Sequence, residues 1–302
     1  MVHGNVTRVF LFGGAVALVF IVLFGFAGRY LPPADAVAVV QPLAAVFLMP
    51  FAALLWSMSA RPLALVSLVS AIAAIGSVLP GFLLSEMPCS GSCITLYQKN
   101  LLSKAWPRYS LADDIIASGA QIVTLQEVSD HNQRFMASLF QHYTVAALCR
   151  FRPEQAVAVL TSLPVVKGSQ FCTPGVGLAG VRVEMPGGEK TWVLSLHLEW
   201  PFPFDQAYQS RVIANRIADL DGPILIGGDF NMVPWGGSVK RIEQAAGSHR
   251  LGPFRNTYSL GSWLLPLPID TVLVPNGAAG MVELRPYMGS DHLGVLARIA
   301  LP

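Results

Sequence analysis

A carboxylate and a carboxamide stand one residue apart in ILIGGDFNMVPW, Ile224 to Trp235, just after residues that suit a buried β-strand. Along a strand, residues i and i+2 point to one side. The spacing therefore predicts that Asp229 and Asn231 face a common cavity while Phe230 turns into the core. A carboxylate can hold a hard cation or accept a proton. A carboxamide can orient a water or a phosphate oxygen without adding charge. The two preceding glycines let backbone or ligand approach closely.

Further polar groups stand where other apolar runs end. Asn100 closes ITLYQKN, Gln126 and Glu127 lie near the end of QIVTLQEV, and His197 sits in SLHLEW. Asp270 occurs in PIDTVLV, and Ser290-Asp291-His292 precedes LGVLARIAL. Glu127, Asp229, Asp270 and Asp291 in one pocket would repel one another unless a cation offset their charge. Magnesium prefers oxygen ligands and retains several waters, so this set suits magnesium or manganese better than zinc.

Short elements must position these residues. Period-two or β-branched stretches predict strands at ITLYQKN, QIVTLQEV, AVAVLTS, WVLSLHL, ILIGGDFN, IDTVLV and LGVLARIAL. Helical spacing occurs in SLADDIIASGA, in HNQRFMASLFQ, and through Val212, Ile213, Arg216 and Ile217 of QAYQSRVIANRIADL. Strands that end together at one sheet edge bring their polar residues to one mouth. Strands mixed with helices, linked partly by hairpins, indicate an α+β layered domain.

Each piece alone has a plain structural explanation. An Asp-Asn pair serves turns, Glu127 can cap a helix, His197 can be a core histidine, and Asp291 can close a strand. Their joint order is the signal. With KNLL, LQEV, SLHLEW, GGDFN, PIDTVLV and GSDHLGV in sequence, the region from Ile94 to Ile299 resembles the endonuclease/exonuclease/phosphatase superfamily. That is the DNase I-like fold of DNase I, abasic-site endonucleases, neutral sphingomyelinases and inositol polyphosphate 5-phosphatases.

The resemblance implies a four-layer α/β sandwich with two central sheets and magnesium-dependent hydrolysis of a phosphate ester. It makes Glu127 the principal metal ligand with Asn100 beside it, and lets Asp291 share the metal directly or through water. Asp229 would position or deprotonate the attacking water, and Asn231 would help hold water and phosphate. His292, oriented by Asp270, and His197 would contact the phosphoryl oxygens. Many relatives carry a second Asn or Asp soon after the Asn100 position, where this chain reads LLSKAW. The family's substrates range from nucleic acid to phospholipid, and fold does not choose between them.

Composition adds a second region. Of 302 residues 53% are hydrophobic and only 13% charged, about half the charge of an ordinary soluble domain. The first 86 residues hold five charged side chains, Arg8, Arg29, Asp35, Arg61 and Glu86. The runs between them predict three transmembrane helices over 9–28, 36–58 and 63–84, since about 20 apolar residues cross a bilayer core. A cleaved signal peptide has one short apolar core and does not account for three long runs. The expected organisation is a membrane region over 1–88 and a phosphoesterase domain over 94–302.

Arg8 and Arg61 flank one side of these spans and Arg29 the other. The positive-inside rule then puts the N-terminus in the cytoplasm and the catalytic domain in the periplasm or outside the cell. All four cysteines, Cys89, Cys93, Cys149 and Cys172, follow the last span. An even set confined to an exported region implies two disulfides; Cys89–Cys93 with Cys149–Cys172 is one of three connectivities. The last 209 residues carry 17 basic against 16 acidic side chains, so no basic tail argues for a dedicated nucleic-acid binder.

The expected function is a membrane-anchored, divalent-metal-dependent phosphodiesterase, nuclease-like or phospholipase-like. The bilayer and a phosphoester are its expected partners. The alternative class is a catalytically silent module that binds a ligand or partner at the membrane. Such relatives usually lose an acid or histidine, and here every position is filled.

Overall fold

The computed structural model describes residues 2–89, 91, 93–106, 108–261 and 265–302. Eight α-helices are described: α1 (Val2–Gly25), α2 (Pro32–Ala38), α3 (Gln41–Ser57), α4 (Arg61–Leu83), α5 (Tyr109–Ala117), α6 (Gln133–Leu139), α7 (Gln206–Ala218) and α8 (Gly237–Ala245). The strands are β1 (Ile94–Asn100), β2 (Ile122–Val128), β3 (Thr144–Arg152), β4 (Gln155–Thr161), β5 (Phe171–Thr173), β6 (Leu178–Glu184) and β7 (Lys190–His197). They continue with β8 (Ile224–Asp229), β9 (Ser248–Arg250), β10 (Tyr258–Leu260), β11 (Leu265–Leu267), β12 (Asp270–Pro275), β13 (Ala279–Arg285) and β14 (Gly294–Ala300).

Two six-stranded sheets form the C-terminal part of the chain, in the orders β13-β14-β1-β2-β4-β3 and β5-β6-β7-β8-β12-β9. Alternation along the strands sends one face of each sheet inward. Leu96, Ile122, Val159, Val181, Val193, Leu225 and Val272 pack between the sheets. The other face of the first sheet, with Tyr97, Val123 and Leu125, is covered by Leu111 and Ile115 of α5 and Phe135 of α6. The other face of the second meets Ile213 and Ile217 of α7 and Val239 and Ile242 of α8. The result is the expected four-layer sandwich. Both disulfides, Cys89–Cys93 and Cys149–Cys172, are formed. The second ties β3, at the edge of one sheet, to β5, at the edge of the other.

The helical region corrects the expected spans. Among the described residues two helices are long and apolar enough to cross a membrane, Arg8–Arg29 and Arg61–Leu83. The expected span over 36–58 is instead divided into α2 and α3, which meet at 67°; only if that bent pair counts as one span are there three. Proline explains the break. Pro42, in the first turn of α3, has no N–H with which to continue α2's ladder. Asp35, in α2, is buried against the sandwich, as described below.

Candidate active site

Register assembles the site. β7 and β8 run parallel with His197 opposite Asp229, and β12 runs antiparallel to β8 with Asp270 opposite the same Asp229. Three of the expected residues thus lie in one row across three strands. In the other sheet β1 and β2 run parallel with Asn100 opposite Gln126. The β2–β4 pairing slips between Leu125 and Val128, an extra residue of the kind that re-aims side chains beside active sites. Glu127 lies in that bulge with φ +55°.

Gly227 explains part of the GGD sequence. A Cβ on it would lie 2.2 Å from Thr124 Oγ1 of the facing sheet, so glycine here lets the two sheets close at the mouth. The turn after β8 departs from simple strand alternation. β8 ends at Asp229, and Asn231 is left-handed at φ +44°. Its backbone N–H donates to Asp229 Oδ1 at 2.8 Å, and its Nδ2 donates to Leu198 O at 2.8 Å. Asp229 and Asn231 still converge, through an Asx-type turn rather than strand pleat. Phe230 is buried in the core as expected.

Asp229 is completely buried, and Asn100 Nδ2 bridges it to Glu127, at 2.8 Å from Asp229 Oδ2 and 3.2 Å from Glu127 Oε1. Asn100 Oδ1 accepts the Leu102 N–H, and Glu127 Oε2 accepts the Ser103 N–H at 2.8 Å. Burial acts to raise the Glu127 carboxyl, but His197, the Ser103 N–H and the Asn100 amide outweigh it and hold it at about 2. Asp229 goes the other way. Burial pushes it up to about 6, with His292 opposing and Asp270 adding to the rise.

His292 Nδ1 is 2.7 Å from Asp270 Oδ2, and Tyr258 stacks against the ring at 4.7 Å. Burial would lower this imidazole, but Asp270 and Asp229 prevail and raise it to about 10. It is therefore an imidazolium at neutral pH, with Nε2 3.9 Å from Asp229 Oδ2 and also 3.9 Å from Asp291 Oδ1. His197 is buried against Phe151, and neither ring nitrogen has a hydrogen-bond partner. Its Nε2 stands 3.5 Å from Glu127 and 3.7 Å from Asp229, too far for good bonds yet close enough for charge. Asp291 is at the rim, with its side chain 47% exposed.

Two supporting residues, Gln98 and Lys99, escaped the sequence reading, which named Gln126 only as a strand end. Gln98 Nε2 donates to Asp270 Oδ1 and to Gln126 Oε1, both at 2.8 Å. Gln126 in turn donates to Ser195 Oγ and Gly227 O. A polar layer between the sheets therefore fixes Asp270. Lys99, on the opposite face of β1, is buried and donates to the carbonyls of Pro286 and His292. Burial lowers it to about 7, and its bonds fasten the segment bearing Asp291 and His292. The signal was present in ITLYQKN, where period two puts Gln98 on the face of Asn100 and leaves a lysine inside an apolar strand.

The donor set also tests the cation expectation. Asp229, Asp270 and His292 each bring one ligand atom within 4.8 Å of the others. In that trio Asp270 Oδ2 faces His292 Nδ1 and Asp270 Oδ1 accepts from Gln98 Nε2, which ties Asp270 to the histidine and to the polar layer between the sheets. Glu127 is the anionic oxygen donor next to Asn100 and the unpartnered His197. This oxygen-rich corner fits a hard divalent cation.

Residues 100–292 match the Endonuclease/Exonuclease/phosphatase family. Among solved structures, D. rerio TDP2 complexed with a single-strand DNA product is similar at 15% identity and TM-score 0.55, over 70% of this chain and 100% of that one. An endonuclease/exonuclease/phosphatase from Bacteroides vulgatus gives 14% and 0.57 over 70% and 100%. The mannosyl-6-phosphatase of Bacteroides thetaiotaomicron gives 14% and 0.54 over 69% and 100%. At such identities the likeness establishes the fold. No curated protein sequence matches the chain.

Proposed function

The chain belongs to the endonuclease/exonuclease/phosphatase family, and on that premise we propose that it is a membrane-anchored, divalent-metal-dependent phosphodiesterase. One observation carries the reading: a buried carboxylate raised to about 6, Asp229, faces an imidazolium pinned by Asp270, with an anionic Glu127 alongside. That pairing supplies a base for the attacking water and a proton donor for a phosphoryl oxygen beside each other at one mouth.

In this mechanism Asp229 takes the proton of the attacking water, and Asn231 holds the Asp229 carboxylate in place through its backbone N–H. His292 donates Nε2–H to a phosphoryl oxygen as charge grows there, and Asp270, itself held by Gln98, keeps Nδ1 protonated and the ring aimed. His197 offers a second N–H from a buried ring whose nitrogens are otherwise unpartnered. Glu127 would hold the cation, magnesium or manganese, with Asn100 joining through its Oδ1 and Asp291 at the rim. When bound, the cation would polarise the phosphoryl group and offset the carboxylates' charge.

A groove of about 390 Å³, lined by Arg152, Glu199, Phe204 and Tyr208, lies just beyond the end of the His197 strand. TDP2 holds a DNA product and the Bacteroides relative is a mannosyl-6-phosphatase; this chain takes from them the phosphoester as substrate class. The disulfides support an oxidising compartment, hence the periplasm or cell exterior. The purified full chain, given plasmid DNA, RNA, sphingomyelin and bis-p-nitrophenyl phosphate with magnesium, should turn over at least one, and EDTA should abolish the reaction. Turnover untouched by EDTA would defeat the metal-dependent reading, and divalent-ion binding without turnover of any phosphodiester would favour the silent module.

A further inference from the structure

The junction between the helices and the sandwich is tightly made. Asp35 of α2 accepts hydrogen bonds from Gly237 N, Ser238 N and Ser238 Oγ at the start of α8. Trp235 Nε1 donates to Ala38 O, and Phe82 packs against Trp235 and Phe254. A Cβ on Gly237 would fall 2.7 Å from the Arg29 backbone, and one on Gly28 would fall 2.9 Å from that of Asp35. Within this close fit remains a cleft of about 310 Å³. Gly25, Phe26, Arg29 and Gln41 line it from the helical side, and Trp235 and Lys240 from the sandwich.

Its charge is unbalanced. Arg29 uses one guanidinium nitrogen on Gln244 Oε1, out of five N–H donors. Lys240 Nζ bonds Glu243 Oε2 at 2.7 Å, leaving two of its three donors. Arg241 reaches the same corner through Arg29 O. Burial and then Arg211 hold Arg241 below the usual guanidinium range, with Asp35 opposing and Arg29 adding. The nearby acids are already engaged, Asp35 by α8 and Glu243 by Lys240.

Position identifies the anion's source. Arg29 ends the charge-free stretch from Val9 to Gly28, so the cleft lies where hydrocarbon would give way to water. Phe26, Tyr30 and Leu31 around it are exposed, as side chains next to acyl chains would be. We propose that the cleft binds the phosphate headgroup of an anionic phospholipid, with Arg29 and Lys240 as its ligands. Arg29 supplies a planar fork matched to phosphate oxygens, Lys240 supplies the opposing point charge, and the lipid fixes the height of the catalytic mouth above the bilayer. The proposal rests on the membrane-anchored reading above.

The test is native mass spectrometry of the full chain released from micelles containing phosphatidylglycerol or phosphatidylcholine. The wild type should retain phosphatidylglycerol at least about tenfold better, a difference of about 1.4 kcal/mol. Arg29→Gln/Lys240→Gln should lose that preference while keeping its melting temperature and its hydrolysis of a soluble phosphodiester. Lys240→Glu, a single change at an exposed position, should lose it too and covers the case in which the double variant misfolds. Equal retention of the two lipids by the wild type, or an unchanged preference in Lys240→Glu, would overturn the proposal. Displacement of the lipid by millimolar inorganic phosphate would also overturn it and leave a free-anion site. Alkaline carbonate extraction of cell membranes separates the two readings: release of the chain sinks the anchoring itself, whereas retention with no lipid preference sinks only the cleft.

Discussion

The helical bundle and the sandwich use the same apolar alphabet in opposite arrangements. In the sandwich the largest fully buried side chains are Tyr97, Lys99, Phe135 and Phe230, followed by leucines and isoleucines such as Leu96 and Ile115. In the bundle Leu48, Leu55 and Val22 are buried too, but most of the buried positions are small, Ala15, Ala45, Ala71, Ala74, Ser67 and Ser70 among them, while Phe20 is 63% and Val69 64% exposed. Water drives large apolar groups inward. Lipid does not, so membrane helices approach through small residues and turn large ones outward. On the proposed membrane-anchored reading each region is packed for a different solvent, with α2 and its buried Asp35 at the boundary.

This contrast can be broken at several points. The largest effect is expected inside the sandwich's mouth, where His292→Ala should lower kcat for phosphodiester hydrolysis roughly 10²- to 10⁴-fold. The melting temperature should fall as well, because Asp270 is left buried without its partner, so kcat is compared well below both melting transitions; a variant within threefold of wild type (about 0.6 kcal/mol) would remove His292 from the reaction. Next comes the packing contrast itself. Phe135→Ala should destabilise the sandwich by about 3–5 kcal/mol. Phe20→Ala, on the bundle's outer face, should cost well under about 1 kcal/mol in micelles, since lipid or detergent fills the space. Equal losses in denaturant melts would mean that both regions are packed for water.

A smaller, pH-dependent effect follows from the site's charges. Asp229 acts as a base only when deprotonated, so the rate should rise as pH climbs through about 6. His292 donates only when protonated, so the rate should fall as pH passes about 10. Each limb changes about tenfold per pH unit. A flat profile across the acid limb would contradict Asp229 as base. The smallest effect belongs to the boundary. Gly236 precedes α8 and offers no capping side chain, so Asp35 satisfies that helix start from another helix. Asp35→Ala should cost about 1 kcal/mol, as loss of a cap does, read as a lower melting temperature with catalysis by the site unchanged.

Legibility in the sequence followed the range over which each feature is determined. Asn100, Glu127, His197 and Asp229 were readable because each ends a short apolar run, and strand ends collect at one edge; Asp270, which opens β12, was readable from the order of the motifs. The layered architecture was readable from the alternation of those runs with amphipathic helices. Gln98 was not, because its role depends on Asp270, 172 residues away. Asp35 looked like an interruption between spans, and only the docked α8 explains its burial. The division of the second span was written locally in Gln41-Pro42, but apolar composition outweighed it. Asn231 was placed in the right cavity by strand alternation, whereas a left-handed turn brings it there.

The most direct test of the central claim is a magnesium titration of phosphodiester turnover by the EDTA-treated full chain, run beside Glu127→Gln. Turnover that returns with magnesium in the wild type and stays lower by roughly 10²-fold or more in the variant is the predicted result. Turnover that needs no added cation, or a Glu127→Gln chain that titrates like the wild type, would contradict a metal-dependent site organised on Glu127.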